Sequence, residues 1–344
     1  MEAYYYQRMT KPHQAAYHAM KSGFTSLSPS FSVPRLENHE LSDIFFKLRL
    51  DCPDIFYVTG FSYRFYPQAD HVELIPEYLF EKSKIKEHQK ALSSRVSKLV
   101  RPAEKLSLAE KESYIHDFIC QNVRYDKLKK PYSHEIIGPL GQGVGVCEGI
   151  AKTVKILCDQ LGIWCMIAIS EANPEKGIKY RHAWNIVKID GDYFHLDATF
   201  DNSLGQDGVI RYDYFNLDDS KVFRDHQPVI YPIPSCTAND KFYYKENKLS
   251  FTKVEDVCKR AQMSIRKDLP FIFHWRGGHF TREVLQELVK ALEEAAQKKG
   301  KHAVISFNFP QAVLCARFPT ELPNESLQEE EANEGERYSE ENDS

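Results

Sequence analysis

The chain has 344 residues, 42% of them hydrophobic and 12% aromatic, enough for one large or two unequal packed cores. Its net charge of −4 is uneven: the last 24 residues, from Glu321, hold nine Glu and one Asp against Arg337, which leaves the rest at about +5. No concentrated Lys/Arg stripe of the kind nucleic-acid binding needs is present, and no apolar run reaches the length of a membrane-spanning helix, so neither nucleic acid nor membrane insertion is expected.

In chain order, MEAYYYQRMTKPHQ is polar and aromatic, without the basic start and apolar run of an export signal, and a cytoplasmic protein is expected. Residues 3–22 predict a helix interrupted or begun near Pro12, and residues 41–50 a second one capped by Ser42. The aromatic stretch after Pro53 predicts a strand, and residues 83–100 and 107–122 predict amphipathic helices, the latter capped by Ser107. From 126 a Pro- and Gly-rich loop leads into CEGIAKTVKILCDQLG. There Ile150, Val154, Ile156, Leu157 and Leu161 give helical spacing, and Gly162 supplies the stop. IWCMIAIS (163–170) reads as an apolar strand. Residues 182–189 and 193–200 read as two strands around Asp190-Gly191, a strong hairpin turn. A Glu/Lys-patterned helix (282–299) and a strand (302–309) follow, and the acidic stretch from about 320 is expected to be disordered. The expected organisation is a helical or mixed N-terminal region (1–109), a core (110–235), a small C-terminal α/β segment (250–318) and the acidic tail (320–344).

The eight cysteines form no CxxC pair, so reduced thiols are expected, with no thiolate zinc site. A scattered cysteine is ordinarily a small buried hydrophobe, and Cys158 and Cys165 read that way. Cys147 differs: it follows a Gly-rich turn (Gly141, Gly143, Gly145) and opens a helix. There unpaired N–H groups and the positive dipole end favour a thiolate and can receive an oxyanion. If the hairpin turns on Asp190-Gly191, His182 falls opposite Thr199 and Trp184 opposite Asp197. His182 and Asp197 are then diagonal neighbours on one face, and a carboxylate so placed can orient an imidazole whose other nitrogen serves Cys147. A three-residue turn would put them on opposite faces. His195 shares the Asp197 face but lies nearer the turn. Asp201, Asp207, Asp213, Asp218 and Asp219 lack the spacing of a twelve-residue calcium loop and read as solvated turns. Gly141-Gln-Gly-Val-Gly lacks the Lys-Ser/Thr ending of a phosphate loop, and no cofactor or metal is expected.

GVCEGIA followed by RHAWNIVKIDGDYFHLDATFDN resembles the core of the transglutaminase-like superfamily, most closely its bacterial members, in which a YSH-containing loop precedes the cysteine, as Tyr132-Ser133-His134 does here. The resemblance extends over about 110–220, where RYDYFNLDDSKVFRDH also matches; Ile150 stands where an aromatic is common. It implies Cys147 as nucleophile, His182 as general acid and base, and Asp197 as orienter. It also implies acyl transfer or hydrolysis at a protein or peptide carboxamide through a thioester. Gln142 is a candidate second oxyanion donor, Trp184 a wall of the cleft or shield of the imidazole, and Tyr132 and His134 candidate residues at the entrance. The fold implied is α+β and papain-like, a cysteine-bearing helix on an antiparallel sheet. Three other readings stand beside it. A peptidase or deamidase would use the same three residues with water as acceptor. A non-catalytic interaction module could share the fold, though all three residues are present here. An arylamine acetyltransferase shares the Cys-His-Asp order, but no Arg-Gly-Gly segment precedes Cys147. The sequence carries no signal of oligomeric state.

Overall fold

A computed structural model describes residues 3–176, 178–205 and 208–321. The chain divides into two compact units, residues 1–243 and 244–344. In the first, α1 (Lys11–Thr25) carries Pro12 in its first turn, where a missing N–H costs nothing. After β1 (Phe31–Pro34) comes α2 (Asn38–Asp51). Its cap is Glu37, in a reciprocal capping box with Glu40, rather than the expected Ser42. β2 (Val58–Phe65) and β3 (His71–Tyr78) form an antiparallel hairpin, and β1 pairs with the other edge of β3. α3 (Lys82–Val100) and α4 (Leu108–Asn122) follow, and Ser107 caps α4 with Glu110 completing the box. β4 (Arg124–Tyr125) and β5 (Val144–Gly145) make a short parallel pair. The Gly/Pro-rich stretch between them is more ordered than the sequence suggests, with a 3-10 turn at Pro131–His134 and a π-helix at Gly138–Gln142.

α5 (Cys147–Leu161) ends at Gly162 with φ +78°, where a left-handed residue closes the last turn. It packs on β6 (Trp164–Ile169) and β7 (Ala183–Ile189). With β8 (Asp192–Leu196) and β9 (Phe215–Leu217) these strands form an antiparallel sheet in the order β6-β7-β8-β9. Both faces are covered, which is why its strands read as nearly continuous apolar runs. The β7–β8 turn falls on Asp190 (φ 52°) and Gly191 (φ 103°), and Ile189 faces Asp192, Val187 faces Phe194 and Ile186 faces His195. The expected second strand is too long at 193–200. It stops at Leu196, because the Asp197 carboxylate accepts the N–H groups of Thr199 and Phe200 and starts α6 (Ala198–Leu204). α7 (Asp219–Val222) follows β9.

The N-terminal region and the core fall inside one compact unit. A single apolar cluster runs from Ala16 on α1 through Leu48, Ile115 and Leu157 to Phe215. α8 (Tyr243–Glu246) spans the division between units. The second unit contains β10 (Ser250–Phe251), α9 (Val254–Lys267), β11 (Phe271–Trp275), α10 (Arg282–Gln297), β12 (Val304–Asn308) and β13 (Val313–Arg317). Its sheet order is β10-β11-β13-β12, and Val257, Ala261 and Ile265 of α9 and Leu288, Leu292 and Ala296 of α10 supply apolar stripes to its own core. Most of the acidic tail, residues 322–344, lies outside the described residues, and no described helix is long and apolar enough to cross a membrane.

Candidate active site

Cys147 is delivered by a close crossing of two segments. The carbonyl of Ser133 receives the Val146 N–H at 3.0 Å, and a Cβ on Gly149 would fall 2.1 Å from that same oxygen. Only glycine lets the 131–134 turn press against the first turn of α5, which gives the glycine of Cys-Glu-Gly a steric reason. No side chain caps the helix at Val146. The sulfur sits half-buried at the helix start, and all eight cysteines, each within the described residues, are free thiols.

His182 stands immediately before β7. Its Nε2–H donates to Asp197 Oδ2 at 2.6 Å, which leaves Nδ1 as the second nitrogen, and the Cys147 sulfur is a further partner of the ring. Burial works against protonating this imidazole, but the Asp197 carboxylate and then the Cys147 sulfur outweigh it and raise its pKa to about 10. The ring stacks beside Trp184 (centroids 5.9 Å apart, 16° between planes) and lies tilted against Phe200 (4.7 Å). Asp197 is almost wholly buried and accepts four hydrogen bonds: Thr199 N–H and Phe200 N–H on Oδ1, His182 and His226 on Oδ2. Burial alone would raise its pKa, yet the two imidazoles hold it well below the usual carboxylate range.

The structure thus brings Cys147, His182, Asp197 and Trp184 together. Gln142 lies on the surface at the end of the π-helix, with no bond drawing it toward the thiol. Tyr132 packs partly against the main core, and His134 stands 3.6 Å from Glu148. His195 is engaged at both nitrogens, accepting Trp184 Nε1–H at 2.9 Å and donating to Asp219 at 2.8 Å. The aspartates expected in solvated turns are mostly buried and paired: Asp201 with His116, Asp213 with Arg211, Asp218 with Lys221, while Asp207 lies outside the described residues. A buried carboxylate requires such donors, and the aspartate-rich spacing concealed them.

Sequence reasoning passed over three groups. His226 is the second imidazole on Asp197, and in sequence the FRDH stretch that bears it stands out only as part of a resemblance. Tyr125, paired with Gly145 across β4 and β5, is raised to about 12 by burial and by its closeness to Cys147. Behind the helix start, Arg49 of α2 and Lys152 of α5 alternate with Glu135 and Glu148. Arg49 pairs with Glu135, and Lys152 lies 2.8 Å from Glu135 and 2.7 Å from Glu148. Among the described residues, two sets of side chains have metal-ligating chemistry, His182/Asp197/His226 and His195/Asp219/Cys236, each with donor atoms within 4.8 Å of one another. In both sets the imidazoles already donate to the carboxylate.

Residues 93–198 match the model of the transglutaminase-like superfamily, a span that contains Cys147, His182 and Asp197. No curated protein matches the chain by sequence. Among solved structures, one titled as the crystal structure of a TGase is 12% identical over 41% of this chain and 44% of its own, with a TM-score of 0.28. Another, titled "a Putative Cysteine Protease from Cytophaga hutchinsonii", is 15% identical over 41% and 61%, with a TM-score of 0.26. Menin, whose title describes a binding site for the Mixed Lineage Leukemia protein, is 16% identical over 62% and 42%, with a TM-score of 0.27. The matches span between 42% and 61% of those chains, and at such scores none bears on what this chain does. Over residues 93–198, about a third of its length, the chain is similar to the transglutaminase-like superfamily.

Proposed function

We propose that this protein is a cysteine enzyme acting on a protein or peptide carboxamide, with Cys147 as nucleophile, His182 as general acid and base, and Asp197 as orienter. The observation that carries the reading is the His182 ring, bonded through Nε2 to Asp197 at 2.6 Å with its remaining nitrogen available to Cys147. The packing of α5 on the β6–β9 sheet supports a papain-like core.

The chemistry follows from these positions. The Cys147 proton passes to His182, and the sulfur attacks the carboxamide carbon. First-turn N–H groups of α5, beginning with that of Cys147, receive the developing oxyanion, since no side chain occupies the helix cap. His182 returns its proton to the leaving nitrogen as the C–N bond breaks, releasing ammonia or an amine and leaving a thioester. An incoming amine or water then gives a proton to His182, attacks the thioester carbon and expels the thiolate. Trp184 and Phe200 keep bulk water from the imidazole.

The test is iodoacetamide labelling against pH with peptide mapping, on wild type, Cys147→Ser and His182→Ala. Selective labelling of Cys147 at about pH 6 that disappears in His182→Ala is the expected result. Uniform slow labelling of all thiols in both proteins would sink the assignment. A fluorescent-amine incorporation assay on glutamine-containing peptides then reads acceptor use, with Cys147→Ser as blank.

A further inference from the structure

Asp197 does not serve one histidine but two. His226 reaches it from residues 223–229, a segment fastened to the end of the sheet by Glu171 N–H to Pro228 O (3.0 Å) and Ile230 N–H to Ile169 O (2.9 Å). Its buried ring places Nε2 2.8 Å from Asp197 Oδ2 and Nδ1 2.9 Å from Asp225 Oδ1. A neutral imidazole carries a single N–H, whereas two carboxylates at these distances call for two donors. The arrangement therefore suits an imidazolium. Asp225 is itself held by the Tyr214 hydroxyl at 2.5 Å, so it cannot turn away.

We propose that His226 is a positioning residue for the Cys147–His182 pair, an imidazolium that fixes Asp197 and limits how tightly His182 keeps its proton. The inference rests on the reading of Cys147, His182 and Asp197 given above. Two cations on one carboxylate oxygen repel each other, their rings 5.4 Å apart, so each makes the other easier to deprotonate. His182 must hold a proton to pair with the thiolate and then release it to a leaving amine. An Asp197 shared between two imidazoles exerts less pull on that proton than one serving His182 alone. The groups facing His226 are few. Asp197 and His182 approach from the hairpin, Trp184 (4.9 Å) from β7, Phe200 (4.6 Å) from α6, and Tyr214 (5.5 Å) from the stretch before β9. Asp225 is its own neighbour, and His195 lies beyond Trp184. Burial would lower the pKa of His226, but the two carboxylates raise it above the ordinary histidine value.

The experiment is a titration of His182 by NMR on protein carrying labelled histidine, in wild type, His226→Asn and Asp225→Asn, with Cys147 alkylation followed in parallel. Asparagine keeps a donor toward Asp197 without the charge. In His226→Asn the His182 midpoint should move up by about one pH unit, a tenfold gain in proton affinity. In Asp225→Asn, where His226 keeps a single acceptor, it should move the same way by less. An unchanged His182 midpoint in folded His226→Asn protein, whatever its melting temperature, overturns the proposal, because a mere anchor for residues 223–229 would alter melting and not the titration. If His226→Asn fails to fold, Asp225→Asn decides by the same criterion. Should wild-type His182 itself titrate near 6.5, the Cys–His–Asp reading falls first, and the two failures are thereby told apart.

Discussion

The β7–β8 hairpin brings two histidines close to Trp184, and their difference explains why His182 rather than His195 is proposed as the base. His182 and His195 are both largely buried, both bonded through Nε2 to a carboxylate, at 2.6 and 2.8 Å, and both beside Trp184. His195 spends its second nitrogen on the Trp184 indole N–H, and burial, the dominant influence, lowers its pKa and leaves it neutral. His182 has its second nitrogen toward Cys147. A carboxylate and a dry pocket alone do not qualify a histidine for the proposed role of base; an unspent nitrogen toward a thiol is the added requirement.

The comparison can be broken most forcefully at its carboxylates. Asp197→Asn should reduce turnover by about four orders of magnitude, since an amide can donate to the imidazole and favour the wrong tautomer. Steady-state rates with any amide substrate found by the incorporation assay would check this, and near-normal turnover would remove Asp197 from its role. On the other side, His195→Phe leaves the buried Trp184 N–H without its acceptor. It should cost about 1–3 kcal/mol of stability in denaturant melts while changing turnover less than tenfold. A loss as large as that of Asp197→Asn would mean the two histidines are not distinct in kind. A further effect is in pH. A histidine whose folded pKa is raised stabilises the fold fully below its unfolded value of about 6.5 and loses that contribution as pH climbs to about 10. The melting temperature gap between wild type and His182→Gln should therefore shrink from about pH 7 to about pH 10. A gap that widened over this range would contradict the sign.

What the sequence made legible followed from short-range rules. Asp190-Gly191 announced a two-residue turn, and the turn alone set the pairing of Ile186 with His195 and, by continuation, the nearness of His182 to Asp197. Ser107 with Glu110, and Gly162 after Leu161, marked helix ends by local chemistry. DATF is compatible with a strand, whereas the role of Asp197 as a cap depends on where the next three residues turn. His226 was out of reach for another reason. It lies 29 residues from Asp197 in sequence, with no periodicity tying FRDH to the hairpin. The buried aspartates failed likewise: Asp201 is paid for by His116 on α4, a partner 85 residues away.

The alternation of Arg49, Glu135, Lys152 and Glu148 beneath the start of α5 bears on how this chain can be dissected. A fragment begun near residue 110 would keep every side chain of the thiol chemistry, yet it would strip Arg49 from two acidic groups packed against the segment that carries Cys147. It would also bare the apolar side of α5 that α3 covers. The first hundred residues are thus less a neighbour of the reactive part than a portion of its foundation. Grafting or recombination at residue 110 should give insoluble material.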